Sequence, residues 1–311
     1  MTAKHTERAL EDAIEHHLVM TGGWRKVAPT GFDRERALVP SELFAFIEAT
    51  QGALWSELRA QHGAGLEAGV LDTLSKSQAT RGTLDVLRHG FKFFGKTIQL
   101  ATFKPAHGLN PDVLAAYAEN RLAVTRQVRF AASADKDEDQ SIDMMLSLNG
   151  LPIATIELKN PFTQQTVQHA IVQYRARDPR HRLFQFKRGA LVHFAVDPDL
   201  VYMTTLLRGE GTTFLPFNRG AHGGAGNPEH PSGYRTAYLW EEVFARDSFL
   251  DIVGRFLHLS KEEKLRGGKK VEEEKVVFPR YRGVSMKLST PIDQSALAMG
   301  TIWTSCFTGL R

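Results

Sequence analysis

Apolar positions recur along this chain with two different periods, and the alternation between them suggests the architecture. From Thr6 to Met20 the pairs Ala9/Leu10 and Ala13/Ile14, then Leu18, lie on one stripe of a helix that Thr21-Gly22-Gly23 ends. Helical spacing returns over Pro40 to Ala60, with Ser41 as its predicted N-cap, and over Gly69 to His89. It recurs over Asp112 to Leu122, capped by Asp112, over Thr166 to Arg177, and over Leu239 to Leu259. Strand-like alternation marks Thr97–Phe103, Thr125–Phe130, Ala190–Val196 and Val201–Leu207. Helices interleaved with strands predict an α/β fold with a mixed central sheet flanked by helices.

The centre of the pattern is Ser141 to Asn160, SIDMMLSLNGLPIATIELKN. Two short strands are separated by Asn149-Gly150, a strong signal for a tight hairpin turn. Side chains alternate across a strand, so Glu157 and Lys159 share a face with Thr155, while Ala154, Ile156 and Leu158 share the other. The first face is read as chemistry and the second as core. Two carboxylates, Asp143 and Glu157, are the donors a hard divalent ion such as magnesium prefers, and the ion would activate water against a phosphodiester. Lys159 would orient that water or steady developing charge. The bland alternative is an amphipathic hairpin with solvated charges.

Strand geometry supplies a condition. A plain two-residue turn at Asn149-Gly150 pairs Asp143 with Ile156 and sends its carboxylate to the core face. The site therefore requires a longer loop or a β-bulge that shifts one strand by a residue.

Composition narrows the picture only a little. With 311 residues, 42% hydrophobic and 24% charged, the chain has ample length for a core, and its net charge of +4 is compatible with a nucleic-acid partner. The single cysteine, Cys306, excludes an internal disulfide or a cysteine zinc cluster and points to a reducing compartment. With no run of about eighteen apolar residues and a charged start, the expectation is a soluble, cytoplasmic protein. Gly90-Phe91-Lys92-Phe93-Phe94-Gly95-Lys96-Thr97 spells a phosphate-binding loop, yet a helical pattern precedes it and a strand pattern follows, the reverse of what that loop needs. A strand edge is expected there; an ATPase using Lys96 is the contrary reading.

Arg175, Arg177, Arg180, Arg182, Lys187 and Arg188 form a basic run, either a DNA-contacting patch or a solvated face. Of these, Arg175, Arg177, Arg182 and Lys187 are the DNA-binding candidates. Ser133 to Gln140 reads as an acidic loop and Pro216 to Gly233 as a glycine-rich one. Lys261 to Lys275 reads as a linker or an exposed helix pair.

Asp143 with Glu157-Leu158-Lys159 resembles the PD-(D/E)XK nuclease motif. The longer stretches IDMMLSLNGLPIATIELKNP, QTVQHAIVQYR, HFAVDPDLVYMTTLL, FLPFNRGAHGGAGNP and YRTAYLWEEV resemble the N-terminal nuclease domain of the R (restriction) subunit of type I restriction-modification enzymes. The resemblance covers about Glu7 to Tyr281. It implies a restriction-endonuclease-like fold over residues 1–260, a DNA endonuclease activity, and Mg2+, or Mn2+ in its place, at Asp143 and Glu157. By the same resemblance Glu11 would support the metal and Lys159 would be the catalytic lysine. A Gln-x-x-x-Tyr pair on the next helix assigns Tyr174, but Ala170 stands where the glutamine belongs, so Gln168 or Gln173 would have to supply it.

Double-stranded DNA and the S and M subunits are the implied partners. ATP is implied only for motor domains that these residues do not contain. Residues 261–281 would be a linker towards such a motor, while residues 282–311 resemble none of it, and a truncated or frameshifted reading frame is expected there. A rival from another class is a non-catalytic module that docks on DNA or partner subunits.

Overall fold

The computed structural model describes residues 7–105, 110–130, 140–160, 165–221, 224–266 and 269–280. The expected acidic loop, nearly all of it, and the whole of 282–311 lie outside them. Helix α1 (Glu7–Met20) leads to β1 (Arg25–Val27), then α2 (Pro40–Thr50), α3 (Gly52–His62), α4 (Leu66–Arg81) and α5 (Thr83–His89). After the small hairpin β2 (Phe91–Phe93) and β3 (Lys96–Ile98) come α6 (Pro111–Ala118), β4 (Leu122–Arg129), β5 (Ser141–Leu148) and β6 (Leu151–Leu158). Helix α7 (Val167–Ala176) crosses to β7 (Val192–Val196), followed by β8 (Val201–Thr204), β9 (Leu215–Pro216), α8 (Arg246–Asp251), β10 (His258–Arg266) and β11 (Lys269–Val277).

Seven strands make one mixed sheet in the order β1-β4-β5-β6-β7-β8-β9. The β1/β4 and β6/β7 pairs are parallel and the others antiparallel. The architecture is therefore the α/β arrangement that the sequence pattern predicts, consistent with a restriction-endonuclease-like fold. No helix among the described residues is long and apolar enough to cross a membrane.

The sheet is covered on both sides. Leu10, Ile14 and Leu18 of α1, with Leu43 and Ile47 of α2 and residues of α3 to α5, pack on the face that carries Met144, Leu146, Ile156 and Leu158. Helix α7 covers the opposite face with Val167, Ala170, Ile171 and Tyr174 against Met145 and Ala195. All eight residues of β6 are buried in consequence. A central strand lined on both faces loses the polar alternation of a half-exposed one. The face assigned to chemistry is thus a second core.

Several boundaries move for local reasons. The helix expected over Pro40–Ala60 breaks at Gln51, whose side-chain amide pairs with Gln99 by donating to its carbonyl at 2.9 Å and accepting from its N–H at 2.8 Å. Val39, not Ser41, occupies the cap position, with Pro40 in the first turn and no side-chain cap. The helix over Gly69–His89 breaks at Gly82, where φ is 88°. Asn110, rather than Asp112, caps α6 by accepting the Asp112 and Val113 N–H groups. The stretch Leu239–Leu259 divides into two π-helical turns around α8, then enters β10.

The charged segment from Lys261 is a hairpin, neither a linker nor a helix pair. Strands β10 and β11 pair from His258↔Val277 to Arg266↔Lys269. Its end is anchored: Phe278 stacks edge-on against Phe194 and Phe217 at centroid distances of 5.7 and 5.8 Å. The Thr205 hydroxyl donates to Val276 O at 2.6 Å.

Candidate active site

The turn at Asn149-Gly150 is a two-residue one, with both residues at positive φ, 49° and 81°. By itself it gives the unfavourable register: Leu148 pairs with Leu151 and Ser147 with Pro152. A β-bulge follows. Leu146 pairs with Ala154, Met145 with Thr155 and Met144 with Ile156, leaving Ile153 as the extra residue. One step further along that register, Asp143 stands across from Glu157. The bulge is the shift the sequence argument required, and it is fixed from outside, because Ile153 O accepts the Leu191 N–H at 2.8 Å.

The turn itself is locked in place. Asn149 Nδ2 donates to Leu100 O at 2.8 Å and to Asn120 Oδ1 at 2.9 Å, and its Oδ1 accepts the Arg121 N–H at 2.6 Å. Gly150 O accepts the Val39 N–H at 2.8 Å, so the start of α2 rests on the turn. A Cβ at position 150 would press into Val39 O.

Asp143 is half-buried, and its Oδ2 accepts the Leu158 N–H at 2.7 Å, tying the two carboxylate strands at their open end. Glu157 is fully buried. Its Oε1 accepts from Arg177 Nη2 at 2.5 Å, while its Oε2 is buried with no hydrogen-bond partner. Burial first, and the neighbouring Asp143 carboxylate second, hold the Glu157 carboxyl well above the usual carboxylate range. Lys159 continues the strand beyond β6 by donating its N–H to Val196 O at 2.9 Å, and its nearly buried ammonium donates to Glu7 Oε1 at 3.4 Å.

Glu11 approaches from α1 but stops one residue short. Its Oε1 accepts from Gln127 Nε2 at 2.6 Å and its Oε2 from Arg126 Nε at 3.1 Å. Gln127, a strand residue at φ 49°, reaches Asp143 Oδ1 at 3.5 Å with the same amide nitrogen. Glu11 is therefore a neighbour of the pair through Gln127, and both of its oxygens are engaged. Burial raises its carboxyl above the ordinary value against the pull of Arg126. Among the described residues no group of three or more His, Cys, Asp or Glu side chains is arranged to hold a metal ion. The arrangement offers a pair of carboxylates, not a complete cage.

Behind the pair lies a buried polar chain. Thr155 Oγ1 is 2.9 Å from the Tyr174 hydroxyl and 2.7 Å from His193 Nδ1. Burial raises the Tyr174 phenol well above its ordinary value and lowers His193 to about 3, so both are neutral. Tyr174 thus supports the strand of Glu157 from inside the core. Gln168 is exposed and lines, with Arg175, Tyr202, Glu210 and Phe214, an open hollow of about 350 Å³ on the outer side of α7. Gln173 is half-exposed on the same helix. Neither glutamine is drawn to the carboxylate pair.

In the structure the side chains of the basic run engage other parts of the protein. Arg177 is buried against Glu157, and Lys187 Nζ pairs with Glu274 at 2.5 Å. Arg182 donates to Gln78 Oε1 at 2.9 Å, and Arg175 leans on Thr212 O at 3.3 Å. Arg180 pairs with Asp178 at 2.8 Å, and Arg188 donates to Ala79 O at 2.9 Å. Side chains of one sequence run point to different places once the chain turns, and these guanidiniums knit α4, α7 and the segment between α7 and β7 together.

Gln127 is a contributor to this site that sequence reasoning missed, and Arg177 is one that it singled out for a different role, as a DNA-binding candidate. Neither belongs to a spacing pattern: Arg177 was legible only as one of many cations, and Gln127 as one polar residue of an alternating strand.

No curated protein matches the chain. Residues 4–212, more than half of its length, match the family model described as type I restriction enzyme R protein N terminus, and the chain belongs to that family.

Proposed function

We propose that this region of a type I restriction enzyme R subunit hydrolyses DNA phosphodiester bonds through Asp143, Glu157 and Lys159. One observation carries the reading: the bulge at Ile153 turns Asp143 toward Glu157, whose Oε2 is buried without a partner. Burying a carboxylate beside another is costly unless something positive answers it. Arg177 answers one oxygen and leaves the other open. Two hard oxygens fit magnesium, with manganese as a substitute.

Asp143 and Glu157 would hold the ion, and Glu11, behind Gln127, would add negative potential without touching it. Bound there, the ion would polarise a phosphoryl oxygen and acidify a water. The chain's own residues do the rest. The Leu158 N–H fixes Asp143, and Arg177 fixes Glu157. Lys159 would exchange Glu7 for the reacting phosphate and steady its developing charge. In the whole enzyme ATP would drive motor domains, and the S and M subunits would supply sequence recognition and methylation.

Supercoiled-plasmid nicking with magnesium tests the reading, comparing the wild type with Asp143→Ala and Lys159→Ala. Loss of on the order of a thousandfold in either variant is expected, the scale of removing one group that stabilises transition-state charge. Equal nicking by all three would sink the mechanism. A wild type that binds DNA but nicks none of it would favour the docking module. Because the Glu157 carboxyl holds its proton above the ordinary range, ion binding must displace that proton, and magnesium affinity should climb with pH.

A further inference from the structure

One guanidinium reaches all three strands that bring the carboxylates together. Arg177, the first residue beyond α7, donates from Nη2 to Ser141 O at 2.6 Å and to Glu157 Oε1 at 2.5 Å. Ser141 opens the strand of Asp143, two residues ahead of it, and Glu157 is the last residue but one of the neighbouring strand. The guanidinium also lies over the Phe130 ring, 5.1 Å from its centroid, at the end of β4. That ring is pinned by Phe184 at 4.7 Å and His181 at 5.5 Å. Arg177 itself is 8% exposed.

This is an unusual place for a surface-type residue. Nη2 makes both bonds while Nε is buried without a partner, and a planar guanidinium held between two acceptors and a ring has little rotational freedom. Its effect on Glu157 is directional: by taking Oε1 it leaves Oε2 as the oxygen without a hydrogen-bond partner, with the Asp143 carboxylate nearby. The backbone pairing of β5 and β6 stops at Met144↔Ile156, one residue short of Glu157.

We propose that Arg177 is the positioning residue of the site: it holds Glu157 so that one oxygen faces the ion-binding position, and it locks the start of β5 to the same frame. This rests on the metal-dependent reading given above. Positioning of this kind acts on ion affinity, where a purely structural ion pair acts only on stability.

The test is Mn2+ binding to the full chain, followed by titration calorimetry, beside urea unfolding of the same samples without metal. Arg177→Met is expected to weaken Mn2+ about 10- to 100-fold, the range typical of lost outer contacts to a metal ligand. Arg177→Lys, which keeps the charge but not the fork, should fall between. Phe130→Leu frees the guanidinium without touching the carboxylates, and it should weaken Mn2+ by several-fold even if both Arg177 variants fail to fold. Affinity unchanged or tightened in a folded Arg177→Met protein, with only the urea midpoint lowered, overturns the positioning role. Where the Arg177 variants do not fold, an unchanged affinity in Phe130→Leu does the same. A wild type that binds no Mn2+ overturns the metal-dependent reading itself, and this inference with it.

Discussion

Two hairpins in this protein share a turn and almost nothing else. Asn149-Gly150 and Phe94-Gly95 both place two residues at positive φ, 49° and 81° in one, 45° and 79° in the other. The first lies in the middle of a seven-stranded sheet, buried on both faces. The second is a three-residue ribbon at the surface, pairing Phe93↔Lys96, with Phe94 73% exposed. The surface ribbon carries a phosphate-loop string letter for letter, yet it is strand, turn and strand, and Lys96 is paired with Glu57 at 3.0 Å. The central hairpin carries a short and common pattern, yet a bulge, tied from outside by the Leu191 N–H, brings its acids together. Turn letters fix a local conformation, and chemistry depends on what the surrounding fold does with it.

The comparison breaks most sharply at the glycines. Gly95→Ala meets nothing within 4 Å and bears only the backbone cost of positive φ, about 1–2 kcal/mol. Gly150→Ala bears that cost and a collision with Val39 O, for a total on the order of 3–5 kcal/mol. Urea midpoints compare the two, and equal losses would mean that the central turn has no special tertiary role.

Next in size is the acid response of His193 on β7, which backs the central hairpin through Thr155. His193 stays neutral in the fold down to about 3, while the unfolded chain takes up a proton near 6.5. The unfolded state therefore binds more protons in that window, and stability falls as pH drops through it, by up to ~1.4 kcal/mol per unit. His193→Asn, which offers Thr155 an amide in place of Nδ1, should lower stability at neutral pH but flatten this acid limb. A limb of unchanged slope would show that other groups control it.

A smaller change belongs to the surface turn. Phe94→Asn puts a residue tolerant of positive φ where a bulky one now stands, for a gain of about 0.5–1 kcal/mol, less the loss of ring contacts with His62 and Phe93. Thermal unfolding would read it. Least of all, Lys96→Ala should shift stability by no more than about 0.5 kcal/mol, since its pair with Glu57 is solvent-exposed. ATP should stabilise neither protein; stabilisation that Lys96→Ala removes would revive the nucleotide-binding reading.

Much of the fold was legible because periodicity is a local signal. The helix–strand alternation, the α7 helix and the strands β7 and β8 were all readable from apolar spacing. Helix interruptions were not: Gln51 ends α2 by pairing with Gln99, a partner 48 residues away. The β10–β11 hairpin was missed because its strands are mostly charged, lacking the apolar alternation of a half-buried strand. In the candidate site, Asp143, Glu157 and Lys159 stood out by spacing. Arg177 did not, because its relevance comes from where α7 ends in space.

The sequence by itself determined the strands, the turn, the candidate acids, and the requirement that a bulge must intervene if those acids are to meet. Only the tertiary structure decided that it does intervene. A bulge sacrifices ladder pairing and forms where something else compensates, here the Leu191 N–H on Ile153 O. Burial decided the remainder. Enclosing the second face of the sheet under α7 made a core of the face read as open chemistry, and it left Arg177 as the cation beside Glu157.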